Sequence, residues 1–213
     1  MIGLPFARRG SAAGGGGGGG EAETAQAAAC AVKAALDRRA IVLIGLMGCG
    51  KSAIGKRLAA RLDLPFVDAD EEIERAANMS ITEIFARHGE PHFRDREEKV
   101  IARLLTQGAQ VLATGGGAYM SASTRAAVAA HGVAVWLRAD LPILMRRVAR
   151  RDNRPLLAGP DPEAVMRRLM AERYPVYGEA PVAVESRDVP HDQIVDEIIA
   201  ALTGHLGIQV PTA

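Results

Sequence analysis

Residues 45–52 indicate a phosphate-binding loop: they read GLMGCGKS and fit the pattern G-x-x-x-x-G-K-[ST] without a mismatch. In this pattern, glycines let several backbone N–H groups converge on one anion. Lys51 would bring a positive charge to the β- and γ-phosphates, and the Ser52 hydroxyl could ligate Mg²⁺. The apolar run 41–44 predicts a buried strand before the loop, and the apolar spacing in 53–62 predicts a helix after it. This context favours a nucleotide site over a glycine-rich turn that carries Lys-Ser by chance.

Two carboxylates follow the next predicted strand, residues 64–67. Asp68 and Asp70 are two positions apart, so in an extended segment their side chains point the same way. Carboxylate oxygens suit a hard cation such as Mg²⁺, and a carboxylate can also accept the proton of a substrate hydroxyl. The alternative is structural, because Asp70 would be a good N-cap for a helix that starts at Glu71. The position at a strand end favours the functional interpretation.

A charged stretch on a predicted helix, residues 90–105, contains a candidate anion ligand. Arg94 and Glu97 are three residues apart and are therefore neighbours on one helix face. Arg94, held by Glu97, could form paired hydrogen bonds with a substrate carboxylate. Local spacing alone favours a solvated charge ladder on the helix surface, in which Asp95 and Glu98 would be a second pair.

Three consecutive glycines, Gly115, Gly116 and Gly117, come after the predicted strand 111–113. Because they carry no side chains, their backbone N–H groups are open to close approach by a ligand. A plain turn rarely needs three glycines, so a binding function is favoured.

Arginines are concentrated in and after a helix predicted to begin near residue 141. Arg147 lies in this helix, and Arg154 lies in a loop bounded by Pro and Gly, typical of a lid over polyphosphate. Arg154 could neutralise charge on a transferred phosphoryl group, although a solvated arginine face is the alternative. Arg173 precedes Tyr174-Pro175 and indicates a helix end, where by itself it suggests only a favourable position in the helix dipole.

The scaffold for these residues is predicted from residue 40 onward, where apolar strands alternate with amphipathic helices. The predicted strands are 41–44, 64–67, 111–113, 133–137 and 181–184. The alternation favours an α/β, three-layer fold with a parallel sheet and helices on both faces. Ligands of such sheets bind beyond the carboxyl ends of the strands. A capping box at 80–83 also predicts a short helix to about residue 88, ahead of the helix 90–105.

Composition and charge limit the class of protein. The chain has 213 residues, of which 48% are apolar and 24% charged, as is typical of a globular protein with one core. A formal net charge of +1 does not suggest a nucleic-acid or membrane partner, and no apolar run approaches the ~18–20 residues of a membrane span. Cys30 and Cys49 lack the spacing of a disulfide or metal site, so a reduced, cytoplasmic location is expected.

Three parts of the chain are expected. Residues 1–39 form a low-complexity N-terminal extension, whose glycine tract is expected to be disordered. Its alanine-rich part could form a short helix with Val32 and Leu36 on one side, and this helix could equally be an extension or a poorly packed arm. Residues 40–205 form the globular domain, and residues 206–213 form a short tail.

Taken together, these motifs resemble the shikimate kinase family over about residues 40–204. The resemblance rests on the phosphate loop, Asp68-x-Asp70, Phe93-Arg94-x-x-Glu97, Gly115-Gly116-Gly117-Ala118, Arg154-Pro155-Leu156-Leu157, and Arg173 ahead of Pro175 and Tyr177. The phosphate loop is shared by a vast superfamily, whereas the other motifs in this order are much more specific.

The resemblance implies ATP-dependent phosphorylation of the 3-hydroxyl of shikimate, in the pathway to aromatic amino acids. It implies a P-loop fold like that of nucleoside-monophosphate kinases, with a five-stranded parallel sheet and a mobile lid. It also implies the use of ATP and one Mg²⁺ ion by a monomer that has no nucleic-acid or membrane partner.

By position, the resemblance implies four overlapping groups of site residues. The nucleotide contacts are Gly48, Cys49, Gly50, Lys51, Ser52, Ala53, Arg147 and Arg154. The shikimate contacts are Asp70, Arg94, Gly115, Gly116, Gly117 and Arg173. The metal is held by Ser52 directly and by Asp68 through water. Lys51, Asp70 and Arg154 are the implied catalytic residues. The resemblance thus reverses the local preference for a surface role of Arg94.

One position and one loop depart from the family pattern. Ala53 stands where the family often has Thr, whose hydroxyl can contact the α-phosphate. The loop 186–190 aligns poorly with the adenine side of the site, so Arg187 has no assigned role.

Three other functions are alternatives to this one. A related kinase, such as one resembling gluconate kinase, would share the phosphate loop but should lack Asp68-x-Asp70 together with Gly115–Gly117. A nucleoside-monophosphate kinase would need a base pocket for its acceptor. A catalytically silent nucleotide-binding regulator could lose charges such as Lys51 and Asp70 without unfolding, yet both are present.

Overall fold

Five parallel strands form one sheet in the computed structural model, which describes residues 18–149 and 161–209. The strands are β1 (Ala40–Ile44), β2 (Phe66–Asp68), β3 (Val111–Ala113), β4 (Gly132–Arg138) and β5 (Val182–Glu185), in the spatial order β2-β3-β1-β4-β5. Each predicted strand is present, with ends shifted by no more than two residues. The expected five-stranded parallel sheet is therefore confirmed.

Eight α-helices lie in the same two ranges. They are α1 (Gly18–Leu36), α2 (Lys51–Leu62), α3 (Ala69–Ala77), α4 (Ile81–Leu105), α5 (Ala122–His131), α6 (Leu141–Val148), α7 (Pro162–Tyr177) and α8 (His191–His205). Every residue of β1 is buried, as a strand requires when helices cover both faces of its sheet. None of the described helices combines the length and apolarity needed to cross a membrane.

The register of the sheet brings the strand ends together at one edge. Leu43 of β1 pairs with Ala113 of β3 and with Val135 of β4, and Asp68 of β2 also pairs with Ala113. Because the strands are parallel, the segments that follow β1, β2 and β3 all leave the sheet at this edge. The phosphate loop, Asp70 and the three glycines are thereby placed side by side.

A small second apolar cluster joins α3 to α4. Ile73 of α3 packs with Ile84 and Phe93 of α4, apart from the main core. Helix α4 is interrupted at Gly89, which has φ 79° and ψ 169°, and its first segment starts with a capping box made by Ser80 and Glu83. The two helices predicted here are thus confirmed as two segments of α4. The second segment carries Arg94 and Glu97.

Helix α1 belongs to the main core. Ala29, Val32 and Leu36 lie on one face and are buried, and the helix packs against α2 and α8. Lys33 donates hydrogen bonds to both the backbone oxygen and the carboxylate of Asp63, at the end of α2, with both distances 2.7 Å. This part of the N-terminal extension is therefore not a poorly packed arm.

Candidate active site

The phosphate loop takes the form that its sequence predicts, between β1 and α2. Gly50 caps α2 with φ 97° and ψ 13°, a left-handed conformation that favours glycine, and no side chain caps this helix end. The first N–H groups of α2 are thus left for another acceptor. Lys51 Nζ donates to the backbone oxygens of Gly45 (2.8 Å) and Leu46 (3.2 Å), so its charge lies over the loop. The loop and Lys51 together form an anion site.

Ser52 and Asp68 meet beside the loop. The Ser52 hydroxyl donates to Asp68 Oδ2 at 2.9 Å, while Asp68 Oδ1 accepts from the backbone N–H of Asp70 at 3.1 Å. Asp68 is therefore the N-cap of α3, and the interpretation of Asp70 as the cap is wrong. The cap falls two residues earlier than expected because α3 begins at Ala69, directly after β2.

Asp70 and Glu97 approach each other across Gly115. A Cβ atom on Gly115 would lie 2.9 Å from Asp70 Oδ1 and 2.6 Å from Glu97 Oε1. Both distances are too short for a real Cβ contact, so only glycine allows the two carboxylates to lie here. The predicted acceptor residue Asp70 is thus brought against the first of the three glycines.

Arg94 is held by an acidic partner that is buried. Its Nη1 donates to Glu97 Oε2 at 2.6 Å and its Nη2 donates to Glu90 Oε1 at 3.0 Å; the Glu97 side chain is 1% exposed. The surface ladder favoured by local spacing is therefore wrong for this pair. Exposed Asp95 does belong to a surface pair, but with Lys99, and Glu98 accepts instead from Ser123.

The charge of the Arg94–Glu97 pair depends on its burial. Burial raises the pKa of Glu97 above its usual value, and the attraction of Arg94 opposes this shift. Burial lowers the pKa of Arg94, but the Glu97 and Glu90 carboxylates more than compensate, so its pKa is raised. Arg94 therefore stays cationic and can bind a carboxylate.

Arg173 contacts the middle glycine. Its Nη1 donates to the Gly116 backbone oxygen at 2.9 Å, and the hydroxyl of Tyr177 donates to the same oxygen. Burial raises the pKa of Tyr177 to about 12, so its hydroxyl remains a donor. The prediction that a helix ends at Arg173 is wrong, because α7 continues through Pro175 to Tyr177. One turn of helix separates Arg173 from Tyr177, which lets both reach Gly116.

Comparison with known proteins relates this chain to one family of kinases. The family model for shikimate kinase matches residues 47–203. A shikimate kinase from Bradyrhizobium diazoefficiens is 61% identical over 175 residues, which span 82% of this chain and 84% of that protein. A solved shikimate kinase from Acinetobacter baumannii, in complex with shikimate, is 36% identical with a TM-score of 0.77, over 81% of this chain and 97% of that one.

The chain belongs to the shikimate kinase family. The expected family, fold and shikimate kinase activity are thereby confirmed, with ATP as the phosphate donor that the family uses. The gluconate kinase, nucleoside-monophosphate kinase and silent regulator hypotheses are set aside by the same findings.

Beside the phosphate loop, Ser186 is a residue that the sequence motifs missed. Arg147 Nη1 donates to Ser186 Oγ at 2.8 Å, and its Nη2 donates to the Arg187 backbone oxygen at 2.5 Å. Ser186 Oγ in turn donates to the Cys49 backbone oxygen of the phosphate loop at 2.7 Å. Ser186 directly follows β5, and the strand-end rule that selected Asp68 and Gly115 would also have selected it.

Two further residues were underused by sequence reasoning. The sequence predicts Glu97 only as the partner of Arg94, and Tyr177 only as part of a motif, although both reach the glycine segment, Gly115 to Gly117. The expected lid, which includes Arg154, lies in residues 150–160, outside the described residues. The other expected site residues lie along one edge of the sheet. They are residues 48–53 and 115–117 together with Asp70, Arg94, Arg147 and Arg173.

Proposed function

We propose that the residues at this edge transfer the γ-phosphoryl group of ATP to the 3-hydroxyl of shikimate. The observation that carries the proposal is the close packing of the glycine segment, Gly115 to Gly117, on the phosphate loop. A Cβ atom on Gly116 would lie 3.3 Å from Arg173 Nη1 and 3.5 Å from the Gly45 backbone oxygen. A small acceptor held by the glycine segment would therefore lie directly beside the phosphates of ATP, and such alignment provides most of the catalysis of phosphoryl transfer.

On the acceptor side, Arg94 and Arg173 bind the shikimate carboxylate. Arg94 lies against Gly117, where a Cβ would be 2.6 Å from its Nη1, and Arg173 lies against Gly116. Two guanidinium groups fixed on one glycine segment can bind a carboxylate by charge-assisted hydrogen bonds. The N–H groups of Gly115 to Gly117 contribute backbone contacts to the same ligand.

Asp70 orients the acceptor hydroxyl and accepts its proton. Its carboxylate is next to Gly115 and is half-buried, so it can reach a ligand on the glycine segment. A base within hydrogen-bond reach of the hydroxyl makes the oxygen a better nucleophile as the bond to phosphorus forms. This role differs from that of Asp68, whose carboxylate binds Ser52.

On the donor side, Lys51 and the loop amides bind the phosphates, with contributions from Cys49, Ala53 and Arg147. Ser52 and Asp68 fit one Mg²⁺ ion, because a hydroxyl oxygen and a carboxylate oxygen already lie 2.9 Å apart here and a hard cation prefers oxygen ligands. No group of three or more acidic, His or Cys side chains that could hold a metal ion lies in 18–149 or 161–209. When bound, the ion would offset phosphate charge.

Several finer features are proposed from the sequence and the family. Arg154 reaches the transferred phosphoryl group from a lid, which excludes water and suppresses ATP hydrolysis. Residues 40–205 carry the reaction, and the protein acts as a cytoplasmic monomer.

The direct test is ADP release from Mg-ATP, measured with shikimate and, in parallel, with gluconate and nucleoside monophosphates. We expect release with shikimate only, and its loss in Arg94→Ala. The matched control is Arg96→Ala, because Arg96 is an exposed arginine on the same helix. Release that does not depend on shikimate, or an equal loss in both variants, would refute the proposed acceptor site.

A further inference from the structure

We propose that Ser186 is a positioning residue for the phosphate loop: its hydroxyl fixes the Cys49–Gly50 peptide so that the Gly50 N–H faces the phosphates of ATP. This inference rests on the proposed function, since it takes residues 45–52 as the site of those phosphates. It assigns to Ser186 an effect on nucleotide affinity, separate from the acceptor side.

The contacts of Ser186 leave its hydroxyl little freedom. The residue is 1% exposed, and its N–H donates to the Arg138 backbone oxygen at 2.6 Å. Its Oγ lies 2.7 Å from the Cys49 backbone oxygen and 2.8 Å from Arg147 Nη1. Arg147 can only donate, so Ser186 must accept from it and use its own proton for Cys49. The arginine thus determines the direction of the serine hydrogen bond.

The bond to Cys49 also determines where the next N–H points. The Cys49–Gly50 peptide is trans, so its C=O and its N–H point in opposite directions. With the carbonyl held on the Ser186 side, the Gly50 N–H is turned away from Ser186, at the uncapped start of α2. This N–H belongs to the set that a phosphate loop offers to an anion.

The loop needs such a contact because glycines leave its peptide planes easily rotated. Cys49 lies between Gly48 and Gly50, whose φ angles are 85° and 97°. Without the Ser186 hydroxyl, the Cys49 carbonyl would lose its hydrogen bond in a buried setting, and peptide rotation toward solvent would recover one. The rotated peptide would present an oxygen to the phosphates instead of an N–H.

A purely structural role is the main alternative, since Arg147 also donates to the Arg187 oxygen and could order the loop 186–190. Inorganic tripolyphosphate separates the two roles, because it has the phosphates of ATP but no base. If the hydroxyl acts through the phosphate loop, its removal lowers the affinity for ATP and for tripolyphosphate alike. If it acts on loop 186–190, its removal lowers the affinity for ATP alone.

The experiment measures the affinity for ATP, tripolyphosphate and shikimate by calorimetry in three variants of the full chain. Ser186→Ala removes the hydroxyl and Ser186→Thr retains one. Thr124→Val is the control, because Thr124 is buried and its hydroxyl has no hydrogen-bond partner within the described ranges. We expect Ser186→Ala to weaken the binding of ATP and of tripolyphosphate by about tenfold each, and the binding of shikimate by less than about twofold. Ser186→Thr and the control should bind like the unchanged protein.

Four results would overturn the proposal. The first is weaker ATP binding with unchanged tripolyphosphate binding, which would assign the hydroxyl to loop 186–190. The second is unchanged affinity for both ATP and tripolyphosphate. The third is a parallel loss of affinity for all three ligands together with a lower Tm. The fourth is a folded Ser186→Thr that binds tripolyphosphate as weakly as Ser186→Ala. Since calorimetry requires no turnover, a failure of the proposed reaction would be seen separately, as missing ADP release by the unchanged protein.

Discussion

A methyl group added at Gly117 should disable the acceptor site without disturbing the fold. The Cβ of Gly117→Ala would lie 2.6 to 2.7 Å from three atoms of the Arg94 guanidinium group. Gly117 itself has φ −99° and ψ −15°, which alanine adopts without strain. The guanidinium lies at the end of a flexible side chain, so it should move rather than the backbone.

The size of the effect follows from the displacement. An ordinary contact begins at 3.4 Å, so the guanidinium must move by about 0.8 Å. A misplacement of about 1 Å in a group that orients a substrate can cost about 100-fold. We therefore expect kcat/KM for shikimate to fall by about 100-fold, KM for ATP to change less than about threefold, and Tm to change by only a few degrees.

A double-mutant cycle in the ADP-release assay tests the mechanism. In an Arg94→Ala background, Gly117→Ala should have almost no further effect, because the displaced group is already absent. Gly204→Ala is the matched control, since nothing lies within 4 Å of its added Cβ atom and it is a glycine of α8. Equal losses from Gly117→Ala in the presence and absence of Arg94, or a similar loss in Gly204→Ala, would refute the reasoning.

Three further predictions concern the base, the buried acid and the N-terminal helix. Asp70→Asn should reduce kcat by at least about 100-fold while calorimetry shows nearly unchanged ATP affinity; a kcat within tenfold of normal would exclude Asp70 as the base. For Glu97 the folded-state pKa is raised, so the folded state holds the proton more tightly and ionisation costs stability as pH rises above 4.5. Urea titrations measure the free energy of unfolding of the unchanged protein and of Glu97→Gln. The value for the unchanged protein minus that for the variant should therefore decrease with rising pH, and an increase would contradict a raised pKa of Glu97. Leu36→Ala should lower the free energy of unfolding by about 2–5 kcal/mol, because Leu36 is fully buried against the core; a loss below about 0.5 kcal/mol would show that α1 does not pack there.

Local sequence patterns were sufficient wherever the relevant contacts are short in sequence. The phosphate loop is continuous, and its flanking strand and helix are predicted by their own apolar spacing. The capping box at Ser80 and the break at Gly89 depend on residues within one or two turns, so both were predictable. The positions of the candidate residues after strand ends followed from the parallel-sheet rule.

Local patterns failed where burial changes the meaning of a pair or a helix end. From local spacing, Arg94–Glu97 resembles an ordinary surface pair such as the observed Asp95–Lys99 pair, yet Glu97 is buried and Asp95 is exposed, because α4 turns the Glu97 face toward the glycine segment. Tyr174-Pro175 marked a helix end from sequence, but α7 continues through it and places Arg173 and Tyr177 on the same oxygen.

What the sequence by itself determined is the identity of the reacting groups and the order of the elements that carry them. Only the tertiary structure decided how those groups are held, through Tyr177 on Gly116, Ser186 on Cys49 and Leu36 in the core. The physical reason is that these contacts join residues far apart in the chain, 61 positions for Gly116 and Tyr177 and 137 for Cys49 and Ser186. No local propensity encodes them, since they exist only once the sheet brings its strand ends to one edge.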